Sequence, residues 1–376
     1  MTNPIDKTAV NASIDALLNE VVPDVKGRDR RHMQQLLYTA VLAAHDRPDT
    51  LNLKIMNRAL KELRIGFKAF SPWSDKQKIA VFGSARSSVD SVEYKMAVET
   101  SKGLVDAGFM VVTGAGPGIM QAANQGAGRE NSFGVNIELP FEQQANPFID
   151  GDPKLVNFKY FFTRKVVFVK ETDGVILFPG GFGTQDEGFE TLTLVQTGKS
   201  EPRPIVMIDP PGSTYWKDWD AYVRTALLAR GLISEKDLDL YSIVETSEEA
   251  IRHVTHFYRN FHSIRYIDGK LVIRVKVEPS KFLVDALNER FGNVLHSGAI
   301  ERCSIHPYEA DEPDVSHLHR LRLHFDQKNL GRLRQMINLL NDAVTPAQAA
   351  TSPHVQPVRL ISPAPDPDEA NGDDVD

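Results

Sequence analysis

Apolar residues between Ile14 and Phe70 recur every three or four positions: Ile14, Leu17, Leu18 and Val21, then Met33, Leu36, Leu37 and Ala40, then Met56, Leu60, Leu63 and Phe67. That spacing puts them on one face of a helix, so this stretch is predicted helical. The period changes after Ser71-Pro72-Trp73-Ser74. Short apolar runs at residues 79–82, 109–113, 133–137, 174–178 and 205–208 then alternate with amphipathic stretches at 90–106, 117–127, 161–171, 184–197, 216–230 and 247–257. Continuous apolar strands that alternate with helices predict an α/β fold, a doubly wound parallel sheet covered on both faces.

A third pattern begins at Ser263. Asp268-Gly269 is a two-residue hairpin turn, and residues 271–277 alternate apolar positions with Arg274 and Lys276. The predicted order from there is hairpin, helix (279–291), strand (300–305), strand (319–325) and helix (330–340), a small α+β module broadly like half of a ferredoxin-like unit. Residues from Thr345 onward carry six prolines and no hydrophobic period, which predicts a disordered tail. The expected organisation is a helical segment at 1–74, an α/β domain at 75–258, the α+β module at 259–343 and an acidic, Pro-rich tail at 344–376. No internal repeat is visible.

Charge narrows the function classes. The chain of 376 residues has a formal net charge of −7. The tail from Thr345 holds six acids against one arginine, so the body is nearly neutral. A dedicated nucleic-acid binder would need a basic face, so no nucleic-acid partner is expected. No apolar run approaches the roughly 18 residues of a spanning helix, and MTNPIDKTAV lacks the regions of a signal peptide, so the expected setting is cytoplasmic with no membrane partner. A single cysteine, Cys303, cannot form an internal disulfide and is read as a small core residue. His306, His317, His319 and His324 do not converge, because His317 and His319 fall on the opposite strand face from His324; no metal and no cofactor are expected.

Two glycine-rich turns follow predicted strands and open helices: Gly114-Ala115-Gly116-Pro117-Gly118 and Pro179-Gly180-Gly181-Phe182-Gly183-Thr184. Glycine lets the main chain approach an anion, and a helix start adds unsatisfied N–H donors, so two such turns in one sheet favour phosphate binding over plain turn geometry. A dinucleotide fingerprint fails at Ile119, where glycine is required, and Thr197-Gly198-Lys199-Ser200 lacks the first glycine of a P-loop at Thr193. Arg164 and Lys165 begin the helix that leads into the second turn. Glu187 lies just beyond that turn. Taken by spacing alone, Thr184-Gln185-Asp186-Glu187 reads as a capping box, with Thr184 as the cap and Glu187 bonding back to it.

The run PGGFGTQDE at 179–187 resembles the PGGxGTxxE signature of the LOG (Lonely Guy) proteins, often misnamed lysine decarboxylases. Thr163-Arg164-Lys165, the turn Phe82-Gly83-Ser84-Ala85-Arg86 and the segment 114–120 support the likeness, which covers roughly residues 76–258. The resemblance implies a Rossmann-like domain that hydrolyses the N-glycosidic bond of nucleoside 5′-monophosphates such as AMP and GMP to free base and ribose 5-phosphate. It implies Glu187 as catalytic acid group and Arg164 as catalytic arginine. Gly83, Ser84, Gly114, Gly116, Gly118, Lys165, Gly180, Gly181, Gly183 and Thr184 become candidate substrate and phosphate contacts. The helical segment and the C-terminal module make the chain more similar to the long bacterial branch, the pyrimidine/purine nucleotide 5′-monophosphate nucleosidases. That branch implies a homodimer or higher homo-oligomer and an alarmone, guanosine tetraphosphate, as regulator, although no residue here marks an alarmone site. A non-catalytic nucleotide or molybdenum-cofactor carrier of the same fold is the alternative. A pyridoxal-dependent decarboxylase is disfavoured, because no lysine sits in a recognisable cofactor motif.

Overall fold

In the computed structural model, residues 5–140, 144–309 and 312–350 are described. The chain divides into two compact units, Met1–Arg64 and Ile65–Asp376. The first holds helices α1 (Lys7–Val21) and α2 (Gly27–His45) and most of α3 (Thr50–Phe70). Asp6 caps α1, accepting from the backbone N–H groups of Thr8 and Ala9. Arg30 of α2 reaches Asp15 at 3.2 Å and Asn19 at 2.8 Å on α1. The unit is thinly cored: Ile14 and Leu18 are buried on α1, while α2 buries none of its residues.

The second unit carries a seven-stranded parallel sheet built from β1 (Lys78–Phe82), β2 (Met110–Thr113), β3 (Ser132–Ile137), β4 (Leu155–Phe158), β5 (Gly174–Leu177), β6 (Ile205–Ile208) and β7 (Ser242–Val244), in the order β4-β3-β2-β1-β5-β6-β7. Helices α4 (Val92–Asp106), α5 (Ile119–Ala127), α6 (Phe161–Glu171), α7 (Phe182–Gln196), α8 (Tyr215–Tyr222) and α9 (Ser247–Phe257) connect the strands. This is the expected doubly wound α/β sheet. Strands β1, β2, β5 and β6 are buried at every position, which is why they read as continuous apolar runs. The edge strands β4 and β7 were not expected; with three or four residues of mixed burial they carry no such run. The helix expected at 216–230 ends at Tyr222 and continues as a π-helical turn, Val223–Leu228. The chain winds outward from β1 in one direction and from β5 in the other, so the order reverses between these two neighbours. In such sheets ligands bind at that crevice, beyond the carboxyl ends of the strands.

The C-terminal elements are β8 (Phe261–Ile267), β9 (Lys270–Val275), α10 (Lys281–Phe291), β10 (Leu295–Cys303), β11 (His319–Phe325), α11 (Leu330–Asp342) and α12 (Pro346–Ala350). They form the expected hairpin, helix, strand, strand and helix, in an antiparallel sheet of order β10-β11-β9-β8. β10 starts at Leu295 rather than 300, through a register shift around Ser297 that its exposed, polar residues did not signal. The two sheets share one continuous buried core, running from Ile79 and Val111 through Val254 and Phe257 to Leu321, Leu333 and Leu340. Asn341 of α11 locks the junction: its side-chain oxygen accepts from the N–H groups of Asn260 and Phe261 at 2.9 and 2.8 Å, and its amide donates to the Phe257 carbonyl at 2.7 Å.

Two expectations need correction. Cys303 is half-exposed at the end of β10 rather than in the core, because this edge strand presents most of its residues to solvent. The segment expected as a tail from 344 begins with buried Val344 and helix α12, nucleated where Gln348 accepts from Thr345; residues 351–376 lie outside those described.

In the connection between β10 and β11, Glu309 is buried between two buried arginines of β9 and β11, accepting from Arg274 at 2.6 and 2.9 Å and from Arg320 at 3.1 and 3.2 Å. The backbone N–H of His306, donating at 2.9 Å, and then Arg320 and Arg274 outweigh its desolvation and hold its carboxyl below the usual carboxylate range. Glu309→Gln removes the counter-charge beside buried Arg320 and leaves Arg274 with Glu312 alone, 2.7 Å away, so a loss of about 3 kcal/mol in unfolding free energy is expected from urea denaturation at neutral pH. Because the folded carboxyl is the stronger acid, its contribution is complete above the unfolded pKa and disappears as the pH falls through the folded one.

Candidate functional site

A cleft of about 760 Å³ opens at the crevice between β1 and β5. Three strand-ending turns form its floor. Gly83 and Ser84 follow β1, Gly114 and Gly116 follow β2, and Gly180, Gly181, Gly183 and Thr184 lead from β5 into α7. The turns are interlocked: the Ser84 N–H donates to the Pro179 carbonyl at 3.0 Å, and the Ile119 N–H to the Ser84 carbonyl at 3.0 Å. Gly118, expected as a phosphate contact, is absent from the lining. Its φ is +65°, and a side chain there would run into the Ser84 carbonyl, so it serves the crossing of two loops. Gly181 and Gly183 are different, because a Cβ on either meets nothing within 4 Å. Their missing side chains leave open space beside the first turn of α7, where backbone donors are unsatisfied.

Helix α7 begins at Phe182 with Gly181 as its cap, two residues before the expected start. Thr184 is therefore the third residue of the helix, and its N–H donates to the Gly181 carbonyl at 3.0 Å. No side-chain cap bond forms, so the capping-box interpretation of Thr184 and Glu187 fails. The Pro-Gly-Gly turn starts the helix early. Glu187 then lies in the second turn and aims inward, 7% exposed.

Across from it stands Arg164, in the first turn of α6 and 8% exposed. Arg164 Nη2 and Glu187 Oε1 are 3.8 Å apart, an ion pair too long for a direct hydrogen bond. The guanidinium lies over the Phe168 ring at 5.2 Å, and its Nε is buried without a hydrogen-bond partner. Burial raises the Glu187 pKa, opposed by Arg164 and then Lys165; burial likewise lowers that of Arg164, opposed by Glu187 and Asp186. Both charged forms are thus held under a desolvation cost that their mutual attraction offsets only in part.

Lys165 does not line the cleft. It binds Asp186 at 2.9 Å and Glu190 at 2.5 Å, tying α6 to α7. That bridge neutralises Asp186, one of the two acids beside the glycine turn.

Several groups near the site were not singled out from sequence. Tyr215 Oη donates to the Gly180 carbonyl at 2.5 Å and accepts from Gln185 at 2.6 Å, bracing the turn from α8. Tyr215 is set in place by Asp209, a fully buried carboxylate beyond β6 that accepts from the N–H groups of Trp216 and Lys217 and from the Ser213 hydroxyl. Asn146 donates to the Gly116 carbonyl at 3.1 Å and to Asn124 at 2.9 Å, shaping the other glycine turn. Arg86 adds a second cation to the lining, and Phe161, Leu139, Met120 and Ile137 an apolar wall. The only signal in sequence was the position of Arg86 beside Gly83-Ser84; the others act through partners distant along the chain. Among the described residues, no group of three or more His, Cys, Asp or Glu side chains is placed to hold a metal ion.

Residues 119–254 match the family described as possible lysine decarboxylase. The cytokinin riboside 5′-monophosphate phosphoribohydrolase of Mycobacterium tuberculosis (strain ATCC 25618 / H37Rv) is 26% identical over 162 residues, 42% of this chain and 83% of that protein. Among solved structures, the molybdenum cofactor carrier protein of Chlamydomonas reinhardtii aligns with 18% identity and a TM-score of 0.34, covering 48% of this chain and 96% of that one. The molybdenum cofactor binding protein of the phototrophic bacterium Rippkaea orientalis aligns with 20% identity and a TM-score of 0.32, covering 47% and 94%. The first two of these matches bear out a likeness to the family labelled possible lysine decarboxylase over residues 119–254.

The open space at Gly181 and Gly183 yields a test of the cradle. Gly181→Ala and Gly183→Ala are expected to keep the melting temperature within about 3 °C, since a Cβ at either position displaces nothing and neither residue has a positive φ. If an anion occupies that space, titration with AMP should show affinity reduced by at least about tenfold in each variant.

Proposed function

We propose that this protein, whose residues 119–254 carry the LOG-family likeness, hydrolyses the N-glycosidic bond of nucleoside 5′-monophosphates, AMP and GMP among them, to free base and ribose 5-phosphate in nucleotide salvage. The observation that carries the proposal is the buried Arg164–Glu187 pair, held 3.8 Å apart beside an unfilled glycine turn at the switch point of the sheet. The phosphorylated half of such a nucleotide fits the Gly180–Thr184 turn, and the apolar wall of Phe161, Leu139 and Met120 suits a base. Phosphate binding, remote from the scissile bond, holds the anomeric carbon against the carboxylate.

Breaking the C1′–N bond builds positive charge on the sugar, and the base departs with the bonding electrons. Water adds its oxygen to C1′ and keeps one hydrogen as the new hydroxyl, while its other proton balances the charge of the departing base. The Glu187 carboxylate stabilises the developing cation or takes a proton from the attacking water. Arg164, a permanent cation with spare donors, holds phosphate or sugar and favours the ionised form of Glu187.

A carrier without catalysis would use the same glycine turns, but it has no need of a desolvated carboxylate facing an arginine. A Schiff-base decarboxylase would need a lysine amine, and among the described residues lining the cleft none is lysine.

Phosphate dependence is the first test: AMP is expected to be cleaved at least about a hundredfold better than adenosine in kcat/KM, and equal rates would remove the phosphate site from the mechanism. Glu187→Gln is expected to lower turnover by at least about a hundredfold, roughly 2.7 kcal/mol, while AMP binding survives. Wild-type turnover in that variant would discard the assignment. Since Glu187 acts ionised and burial raises its pKa, kcat should fall with decreasing pH through a limb above the ordinary carboxylate range, measured by base release across a buffer series.

A further inference from the structure

Beneath Glu187, away from the cleft, lies a small void of about 20 Å³, bounded among others by Phe168, Thr172, Thr191, Ser200 and Arg203. The void has room for about one water molecule. Arg203 is buried at 7% exposure and directs its guanidinium at helix α6: Nη1 donates to the Val169 carbonyl at 3.0 Å and to the Thr172 carbonyl at 2.8 Å, and Nη2 donates to Ser200 Oγ at 2.5 Å. Helix α6 ends at extended Thr172 without a backbone cap bond, so Arg203 satisfies carbonyls that would otherwise be orphaned. A cation there also complements the negative end of the helix dipole.

The last turn of α6 contains Phe168, and the Phe168 ring supports the Arg164 guanidinium. Phe168 packs in turn on Phe82, at the end of β1, with ring centroids 4.8 Å apart. Fraying of that turn would withdraw the ring and let Arg164 shift against Glu187. On its other side Arg203 is held by the C-terminal module: its carbonyl accepts from Arg334 Nη1 at 2.8 Å. Arg334, on α11, is buried at 6% exposure and lies 4.4 Å over the Phe257 ring.

We propose that Arg203 is a positioning residue for the Arg164–Glu187 pair, acting through the last turn of α6 and Phe168, and that Arg334 makes this positioning depend on the docking of the C-terminal helix α11. The catalytic part rests on the nucleosidase function proposed above; the structural coupling does not. The C-terminal module thereby supports the pair without contributing a residue to the cleft.

The experiment uses the full-length protein and the variants Arg334→Met, Arg203→Lys and Arg203→Met. Arg203→Lys keeps the charge but loses the planar fork that spans two carbonyls, so it should retain more function than Arg203→Met. Hydrogen exchange without substrate should show amides of the last turn of α6 exchanging at least about tenfold faster in Arg334→Met and in both Arg203 variants. With AMP, kcat should fall by about tenfold or more, while KM stays within about threefold because the glycine turn does not move. The acidic limb of kcat should shift to higher pH as Arg164 withdraws from Glu187. The other charges acting on Glu187, Lys165 from α6 and Asp186 and Glu190 from α7, are unchanged in these variants. Burial pushes Glu201 up to about 8, opposed by Arg203 and then Arg274, and Arg334→Met leaves both of these partners in place.

If Arg203→Met fails to fold, the other two variants decide. Unchanged α6 exchange and an unchanged acidic limb in Arg334→Met and Arg203→Lys, with only a lower melting temperature, would reduce both arginines to structural staples and overturn the proposal. If the wild-type protein cleaves no nucleotide, the nucleosidase function fails, and the exchange measurement still decides the coupling.

Discussion

Two opposite charges, buried and held just short of a hydrogen bond, set the terms for the centre of this molecule. A buried ion pair ordinarily offsets its desolvation by closing into hydrogen bonds. Arg164 and Glu187 stay 3.8 Å apart, and Arg164 Nε has no partner. Neither side chain can relax toward the other freely. Arg164 is backed by Phe168, and Glu187 extends from a helix whose start is fixed by the Pro-Gly-Gly turn and the Tyr215 brace. The interaction left unmade between them is available to a ligand, at no cost of reorganisation when it arrives.

The topology makes this arrangement possible. Helices α6 and α7 lead into and out of the same central strand, β5, so their facing ends are fixed by one short segment of sheet. The winding direction reverses between β1 and β5, so no connection crosses the crevice above them. Lys165, bound to Asp186 and Glu190, then fixes the spacing of the two helices from the solvent side.

Much of this was legible in the sequence. Helices α6 and α9 begin and end where their apolar period does, and the buried strands announced themselves because parallel strands hide both faces. The glycine turns identified the cleft, since spacing and strand context both carry physical meaning there. Legibility ended where a residue acts through a distant partner. Tyr215, Asp209, Asn146 and Arg203 look ordinary locally, and their roles come from carbonyls and loops elsewhere in the chain. The supposed capping box shows the converse. Thr184 and Glu187 satisfy a local rule, yet the preceding turn starts the helix two residues earlier and gives the acid a different direction.

The central pairing of the large sheet joins β1 to β5, and the bond from the Lys78 N–H to Asp173 beside it spans 95 positions of sequence. A contact of that range closes late, because chain entropy opposes it until much of the intervening structure has formed. During synthesis the segment carrying β1 to β4 emerges first, with the inner edge of β1 bare and apolar. Until β5 follows, that edge is a template for pairing with any other extended chain. The crevice that gives the folded protein its cleft is therefore also the seam at which the nascent protein is most open to misassembly.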